Sequence, residues 1–191
     1  MRKQVKQITT VGIDFSLNSP AICVSNGSFK FEDCKFFYLT SKKKHIGNMM
    51  TNILGTEHTE YKNPIERFEN LSSWALSIIN KLTDPKIFIE GYSFGSKGQA
   101  VFQIAENGGI LKYRLKEYDY KILVPSVIKK FATGKGNADK QKMYEQFTKD
   151  TETNMMKVFD IPTLNNPITD IIDAYYIAKA GYENSNSNII K

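Results

Sequence analysis

The sequence predicts an α/β fold: one mixed five-stranded sheet, three antiparallel strands followed by two parallel ones, flanked by helices. Three observations predict it. Near the N-terminus, β-branched and aromatic residues gather in three consecutive runs separated by turn-forming residues. After residue 63 the pattern alternates between apolar residues at helical spacing and short apolar runs, which implies strands and helices in alternation. The chain has 191 residues, 41% of them hydrophobic and 24% charged, enough for one ordinary domain with a buried core.

Taken in order, QITTVGIDFS over residues 6–15 reads as a central strand, with Val11 and Ile13 alternating. Pro20 to Ser25 is a second run, and Asn26-Gly27 after it is a strong hairpin signal. Ser28 to Leu39 gives a third strand or a bent pair. Residues 41–62 are polar, carry Lys42, Lys43 and Lys44 in a row, and read as a long, flexible insertion. Asn63-Pro64 supplies an N-cap and a proline at the first helical position. Ile65, Phe68, Leu71, Trp74, Ile78 and Leu82 then recur at helical spacing, and Asp84-Pro85 ends that helix.

Lys86 to Glu90 is a short buried strand, and Gly91 to Gly98 a glycine-rich loop. Residues 99–117 form a helix whose Gly108-Gly109 pair costs about 1 kcal/mol per glycine, which implies close packing there. Tyr120 to Val124 is the fifth strand. A short helix from Pro125 to Phe131, a TGKGN loop over residues 133–137 and a helix from Ala138 to Thr148 follow. Residues 151–168 read as irregular, Thr169 as the N-cap of a last helix ending near Tyr182, and 183–191 as a frayed tail. The expected organisation is a single domain over 1–191 with its core at about 8–182.

No apolar run reaches the ~18 residues that span a bilayer. The basic start Met1-Arg2-Lys3 lacks the apolar stretch of a secretory leader, so a cytoplasmic protein with no membrane partner is expected. Cys23 and Cys34 lie in neighbouring strand-like runs and read as reduced, partly buried thiols. His45 and His58 both fall in the polar insertion. The net charge of +6 is concentrated: residues 112–142 hold nine basic side chains against three acidic ones, an excess equal to that of the whole chain. Such a stretch suits a polyanion and makes binding depend on salt.

Four acids stand out. Asp14 follows the apolar run of the first strand, Glu90 ends the fourth, and Asp170 and Asp173 open the last helix at i, i+3 spacing on one face. An acid at the end of an apolar strand is costly unless it is paired or binds a cation. Oxygen-only donors of this kind suit magnesium or manganese. Two such ions can activate water and stabilise the leaving oxygen of a phosphodiester. On spacing alone a plainer reading also stands: Asp170 as a first-turn acid favoured by the helix dipole, Asp14 as a turn former. No G-x-S-x-G, no cysteine–histidine pairing and no G-x-x-x-x-G-K-[ST] phosphate loop offers another chemistry, so no nucleotide cofactor is expected.

These residues resemble those of the RuvC family of Holliday junction resolvases. Gly12-Ile13-Asp14 looks like that family's G-I-D opening, and Ile89-Glu90 like its second acid. Asp170-Ile171-Ile172-Asp173-Ala174 looks like its closing D-x-x-D-A. Ile128 to Lys140 follows its V-K-x(4)-G-x-G-x-A-x-K stretch without a gap. The resemblance runs in order over roughly 8–182.

The resemblance implies a ribonuclease H-like fold and a homodimer that binds four-way DNA junctions and resolves them by paired symmetric nicks. It implies two magnesium ions, with manganese as a substitute, held by Asp14, Glu90, Asp170 and Asp173. Lys129 and Lys140 would meet DNA near the scissile phosphate, Lys140 stabilising developing charge, while Lys130 and Lys135 would add backbone contacts. The family's aromatic wedge falls here on Ser93, with Tyr92 and Phe94 beside it as candidates to stack on a base at the crossover.

There are departures. Phe15-Ser16-Leu17-Asn18-Ser19 replaces a P-G-S-like turn after the first acid, and the 41–62 insertion is foreign to the compact cellular enzymes. Both suggest a divergent, bacteriophage-type member. Three other readings are carried forward. One is a nuclease of the same fold acting on other branched DNA or on RNA–DNA hybrids. The second is a non-catalytic DNA-binding protein. The third, half of an actin-like phosphotransferase, would need a second half that a chain of this length lacks.

Overall fold

A computed structural model describes residues 8–92 and 99–187 of the chain. Its strands are β1 (Thr10–Asp14), β2 (Ala21–Ser25), β3 (Cys34–Thr40), β4 (Gly47–Met50), β5 (Ile53–Glu57), β6 (Lys86–Glu90) and β7 (Tyr120–Leu123). They form one sheet in the order β4-β5-β3-β2-β1-β6-β7. β1, β2 and β3 run antiparallel, and β6 and β7 continue from β1 in parallel, as the sequence predicts.

The sheet has seven strands, not five, because the polar insertion is not a loop. Its residues fold into the β4–β5 hairpin, and β5 pairs in parallel with β3. Composition hides these strands: they hold Gly47, Asn48 and Gly55, and they lie at the sheet edge with much of their surface in water. Pairing with β3 supplies what intrinsic propensity does not. Gly55 is needed for that seat, since a Cβ there would lie 2.1 Å from the His45 carbonyl oxygen and 2.5 Å from the Tyr38 hydroxyl. The hydroxyl donates to that same carbonyl, and His45 is buried against Phe159 instead of standing in a polar loop.

The Asn26-Gly27 turn forms, with Gly27 at φ +88°, but it does not lead directly into a strand. A 3-10 turn at Phe31–Asp33 intervenes before β3, so Phe31 drops into the core and stacks on Phe36.

The helices are α1 (Pro64–Ile79), α2 (Gln99–Arg114), α3 (Pro125–Thr133), α4 (Lys140–Thr151), the short α5 (Met155–Val158) and α6 (Ile168–Ser187). α1 starts where the sequence places it: the Asn63 side chain accepts from the Glu66 amide, and the Glu66 carboxylate accepts from the Lys62 amide. Ile65, expected on its apolar face, is exposed, and Trp74 packs on the core. α3 ends at Gly134 in the left-handed conformation. α5 lies within the stretch expected to be irregular.

α6 begins before Thr169, whose hydroxyl points back to Asn166 instead of capping the helix, and it extends to Ser187 into the tail expected to fray. Residues 188–191 lie outside the described residues, as does most of the predicted glycine-rich loop.

The helices cover both faces of the sheet. One apolar layer joins Ala75, Ile78, Leu111 and Leu115 to Val11, Ile13, Ile87 and Ile89 beneath α1 and α2. The other joins Phe147, Tyr175 and Tyr176 to Phe36, Tyr38 and Phe88 beneath α4 and α6. Cys23 and Cys34 are buried thiols within this second layer. Gly12 sets how closely α6 lies on β1: a Cβ there would be 2.3 Å from the Ala174 carbonyl oxygen and 2.4 Å from the Ala178 nitrogen. Gly181 does the same against Phe88. Among the described residues, no helix is long and apolar enough to cross a membrane.

Candidate active site

β1 and β6 are parallel neighbours with Ile13 opposite Ile89, so the next residue of each, Asp14 and Glu90, ends its strand at the same edge of the sheet. α6 starts over this edge and, because Gly12 allows close approach, brings Asp170 and Asp173 of its first turns down to Asp14. Asp14 is only 9% exposed and Asp170 only 6%. The four sequence-predicted acids are thus drawn from three separate elements to one place.

Their protonation equilibria carry the signature of that crowding. Burial pushes the Asp14 carboxyl well above its usual range, the charges of Asp170, Asp173 and Glu90 push it further, and Lys140 opposes them. Asp173 is raised to about 7 by burial, then by Glu90 and Asp170, against Lys140 and Lys129. Asp170 is raised to about 6 by burial, held back by the Ser19 hydrogen bond and by Lys140 and Lys42. Burial also raises Glu90, with Lys129 opposing and Asp170 adding to the shift.

The acids share a field but not a closed ligand shell. Among the described residues no three His, Cys, Asp or Glu side chains converge tightly enough to grip an ion as they stand. Asp170 is turned toward the Ser19 hydroxyl, which donates to it. The donor set itself fits a hard divalent cation: all oxygen, all acidic, with Asp14 and Asp170 buried, Glu90 and Asp173 half-buried, and all four costly to ionise together.

Sequence reasoning missed the residues that hold this geometry. The Ser19 hydroxyl donates to Asp170 Oδ2 at 2.6 Å and accepts from Asn166 Nδ2 at 2.6 Å. The Thr169 hydroxyl donates to Asn166 Oδ1 at 2.7 Å, and Lys140 Nζ donates to Thr169 at 3.4 Å. The β1–β2 loop carrying Ser19 is clamped from outside. Arg67 of α1 donates to the Leu17 carbonyl at 2.9 Å and to Asn18 Oδ1 at 2.7 Å, and the His58 ring bonds the Asn18 carbonyl at 2.8 Å. The only sequence signal was the position of Ser19 in the turn after the first acid.

Of the four predicted lysines, Lys140, the first residue of α4, and Lys129 of α3 act directly on the acids. Lys130 and Lys135 are exposed on α3 and in the turn after it, and neither is among the charges that act most strongly on the acids. Tyr92 is half exposed and docked on α2: its hydroxyl donates to the Ala105 carbonyl and accepts from Lys112, whose ammonium lies 4.7 Å from the ring centre. Gly108 makes room for it, since a Cβ there would be 2.7 Å from that hydroxyl. The close packing expected at Gly108-Gly109 is therefore to Tyr92 at the first glycine, while Gly109 faces open space. Phe94 lies outside the described residues. A cleft of about 510 Å³ runs from Asp14, Glu90, Asp170 and Lys140 along to Tyr92 and Lys112.

No protein-family profile and no curated protein sequence matches the chain. Solved structures do. RuvC of Thermus thermophilus in complex with a Holliday junction substrate superposes with a TM-score of 0.63 at 13% identity, over 95% of this chain and 96% of that one. A second RuvC structure from Thermus thermophilus gives 0.57 at 13% identity, over 94% of this chain and 97% of that one. The yeast mitochondrial Holliday junction resolvase Ydc2 gives 0.57 at 16% identity, over 96% of this chain and 81% of that one. At such identities the likeness is one of fold: the chain has the ribonuclease H-like architecture of RuvC-type resolvases.

Proposed function

We propose that this chain is a divalent-metal-dependent endonuclease that resolves four-way DNA junctions by paired symmetric nicks. The observation that carries the reading is the convergence of Asp14, Glu90, Asp170 and Asp173 beside Lys129 and Lys140 at one sheet edge. The fold of resolvases supports it, one of them bound to a Holliday junction.

In this reading Asp14, Glu90, Asp170 and Asp173 would hold two magnesium ions, or manganese in their place, and the bound metal would supply Lewis acidity and positive charge for phosphodiester hydrolysis. Asp14, buried and acted on by the charges of the other three acids, would be the central ligand of the set. Lys140 approaches the same centre from α4 and offsets charge that builds on the phosphate. Lys129 lies beside Glu90 and steadies the strand backbone, and the exposed Lys130 and Lys135 extend the basic surface along the DNA arms. The free ring face of Tyr92, at the far end of the cleft, stacks on a base at the crossover.

In this reading a homodimer would form across α2. Phe102, 69% exposed, and Tyr113, 70% exposed, lie on one face with Ala105 and Gly109 between them. That small-residue centre lets a second helix approach closely, and a two-fold pairing there would present two sites to one junction.

The test is cleavage of a synthetic four-way junction against linear duplex and RNA–DNA hybrid, in magnesium and in chelator. Paired nicks at symmetric positions of the junction, in magnesium only, are expected. Preferential cutting of the hybrid would replace the substrate, and tight junction binding without any nicking would leave a non-catalytic binding protein.

A further inference from the structure

This inference rests on the nuclease reading and deepens it by naming what sets the geometry of that site. The segment before α6 carries Asn166, a half-buried amide between two buried hydroxyls, Ser19 and Thr169. Asn166 Nδ2 donates to Ser19, and Ser19 in turn commits its proton to Asp170 Oδ2. Asn166 Oδ1 accepts from Thr169, whose hydroxyl accepts from Lys140 Nζ. The four bonds run in one sense, from ammonium to carboxylate. A primary amide suits the middle of such a chain because it is rigid, planar, and donor and acceptor at once. An amide does not pass a proton on, so the chain orients the two charged groups instead of relaying between them.

The Asn166 backbone is fixed as well. Lys42, at the first stem of the inserted hairpin, donates to the Asn166 carbonyl at 2.8 Å and to Asn165 Oδ1 at 3.2 Å. The second stem contributes His58 on the Asn18 carbonyl, one residue before Ser19. Both stems of the β4–β5 insertion thus end on the two segments that carry this network.

We propose that Asn166 is a positioning residue that sets Asp170 and Lys140 as one unit, through Ser19 on one side and Thr169 on the other. The inserted hairpin is the outer brace of that unit. Asn166 touches neither the reacting phosphate nor a metal in this scheme; it acts through its neighbours. Partners of this kind usually matter by 10–100-fold in metal affinity or activity.

The experiment is calorimetric titration of the DNA-free chain with Mn2+, for the unaltered sequence and for Asn166→Ala, Thr169→Val and Thr169→Ser, with the unfolding temperature of each taken in chelator. Asn166→Ala is expected to weaken Mn2+ binding about 10–100-fold and to lower kcat of nicking, with junction affinity in chelator changed less than about 2-fold. Thr169→Val, isosteric and so free of packing cost, is expected to give a smaller loss in the same direction, and Thr169→Ser to restore binding. A folded Asn166→Ala variant with unaltered Mn2+ affinity overturns the proposal. If that variant does not fold, the Thr169 pair decides, and equal binding by Val and Ser overturns it. Failure of the unaltered chain to bind Mn2+ at all would instead strike the nuclease reading beneath it.

Discussion

Asp14→Asn is expected to abolish junction nicking, by about 10³-fold or more, or on the order of 4 kcal/mol of barrier, while junction binding in chelator stays near its original strength. Asp14 ends β1, an interior strand of the sheet, is almost fully buried, and is the one acid whose protonation is acted on by all three others and by Lys140. Replacing one carboxylate oxygen by an amide NH2 keeps volume and packing but removes the charge that would help to hold a cation. It also removes the repulsion that Asp14 exerts on its neighbours, so the variant should be at least as stable as the original chain without metal. Loss of activity with unimpaired folding separates a ligand from a structural residue. Gel assays of nicking and of binding, run side by side with thermal unfolding, give all three readings. Near-normal nicking by the variant would remove Asp14 from the site.

Gly12→Ala is expected to destabilise the chain by about 3–5 kcal/mol, roughly 10–15 °C in unfolding temperature. The added methyl would meet the backbone of α6, not a flexible side-chain tip: the Ala174 carbonyl oxygen at 2.3 Å and the Ala178 nitrogen at 2.4 Å. Neither can turn aside, because both belong to the helix ladder. Relief requires α6 to lift from β1, which opens the core around Tyr175 and Ile171 and carries Asp170 and Asp173 away from Asp14. A variant that still folds should therefore also nick slowly and need more magnesium to do so. Thermal denaturation followed by circular dichroism reads the first effect. Wild-type stability of this variant would show that α6 does not lie where the structure puts it.

Much of the layout of the candidate site was legible because it depends on local patterns at element ends. An acid after an apolar strand, and two acids at i, i+3 opening a helix, are visible one segment at a time. Asp14, Glu90, Asp170 and Asp173 all stand where those patterns place them. The five neighbouring strands β3-β2-β1-β6-β7 follow the same logic. The β4–β5 hairpin was not legible, because Gly47, Asn48, Asn52 and Gly55 carry no strand propensity and the hairpin owes its form to pairing with β3 across the chain. The Ser19–Asn166 pair was hidden for a related reason: its partners are 147 residues apart, and polar residues beside a proline read as an ordinary loop. Long-range hydrogen bonds leave no periodicity to detect. Tyr92 was visible as a candidate, but its tether to Ala105 and Lys112 was not.

The most direct test of the convergence of four acids is thermal unfolding of the unaltered chain at about pH 5 and about pH 8, in chelator and in magnesium. The sign follows from the shifts. Asp170 at about 6 and Asp173 at about 7 both lie above the ordinary carboxyl value of 3.8 that applies once the chain unfolds. Between those values the folded chain binds more protons than the unfolded one, so stability falls as pH rises. A raise of about two units corresponds to on the order of 3 kcal/mol. In chelator the unfolding temperature should therefore be about 5–10 °C lower at the higher pH, and magnesium should close most of that gap while doing little at the lower pH, where protons occupy the acids. An unfolding temperature indifferent both to pH over that range and to magnesium would contradict the account, for the carboxylates would then neither crowd one another nor hold a cation.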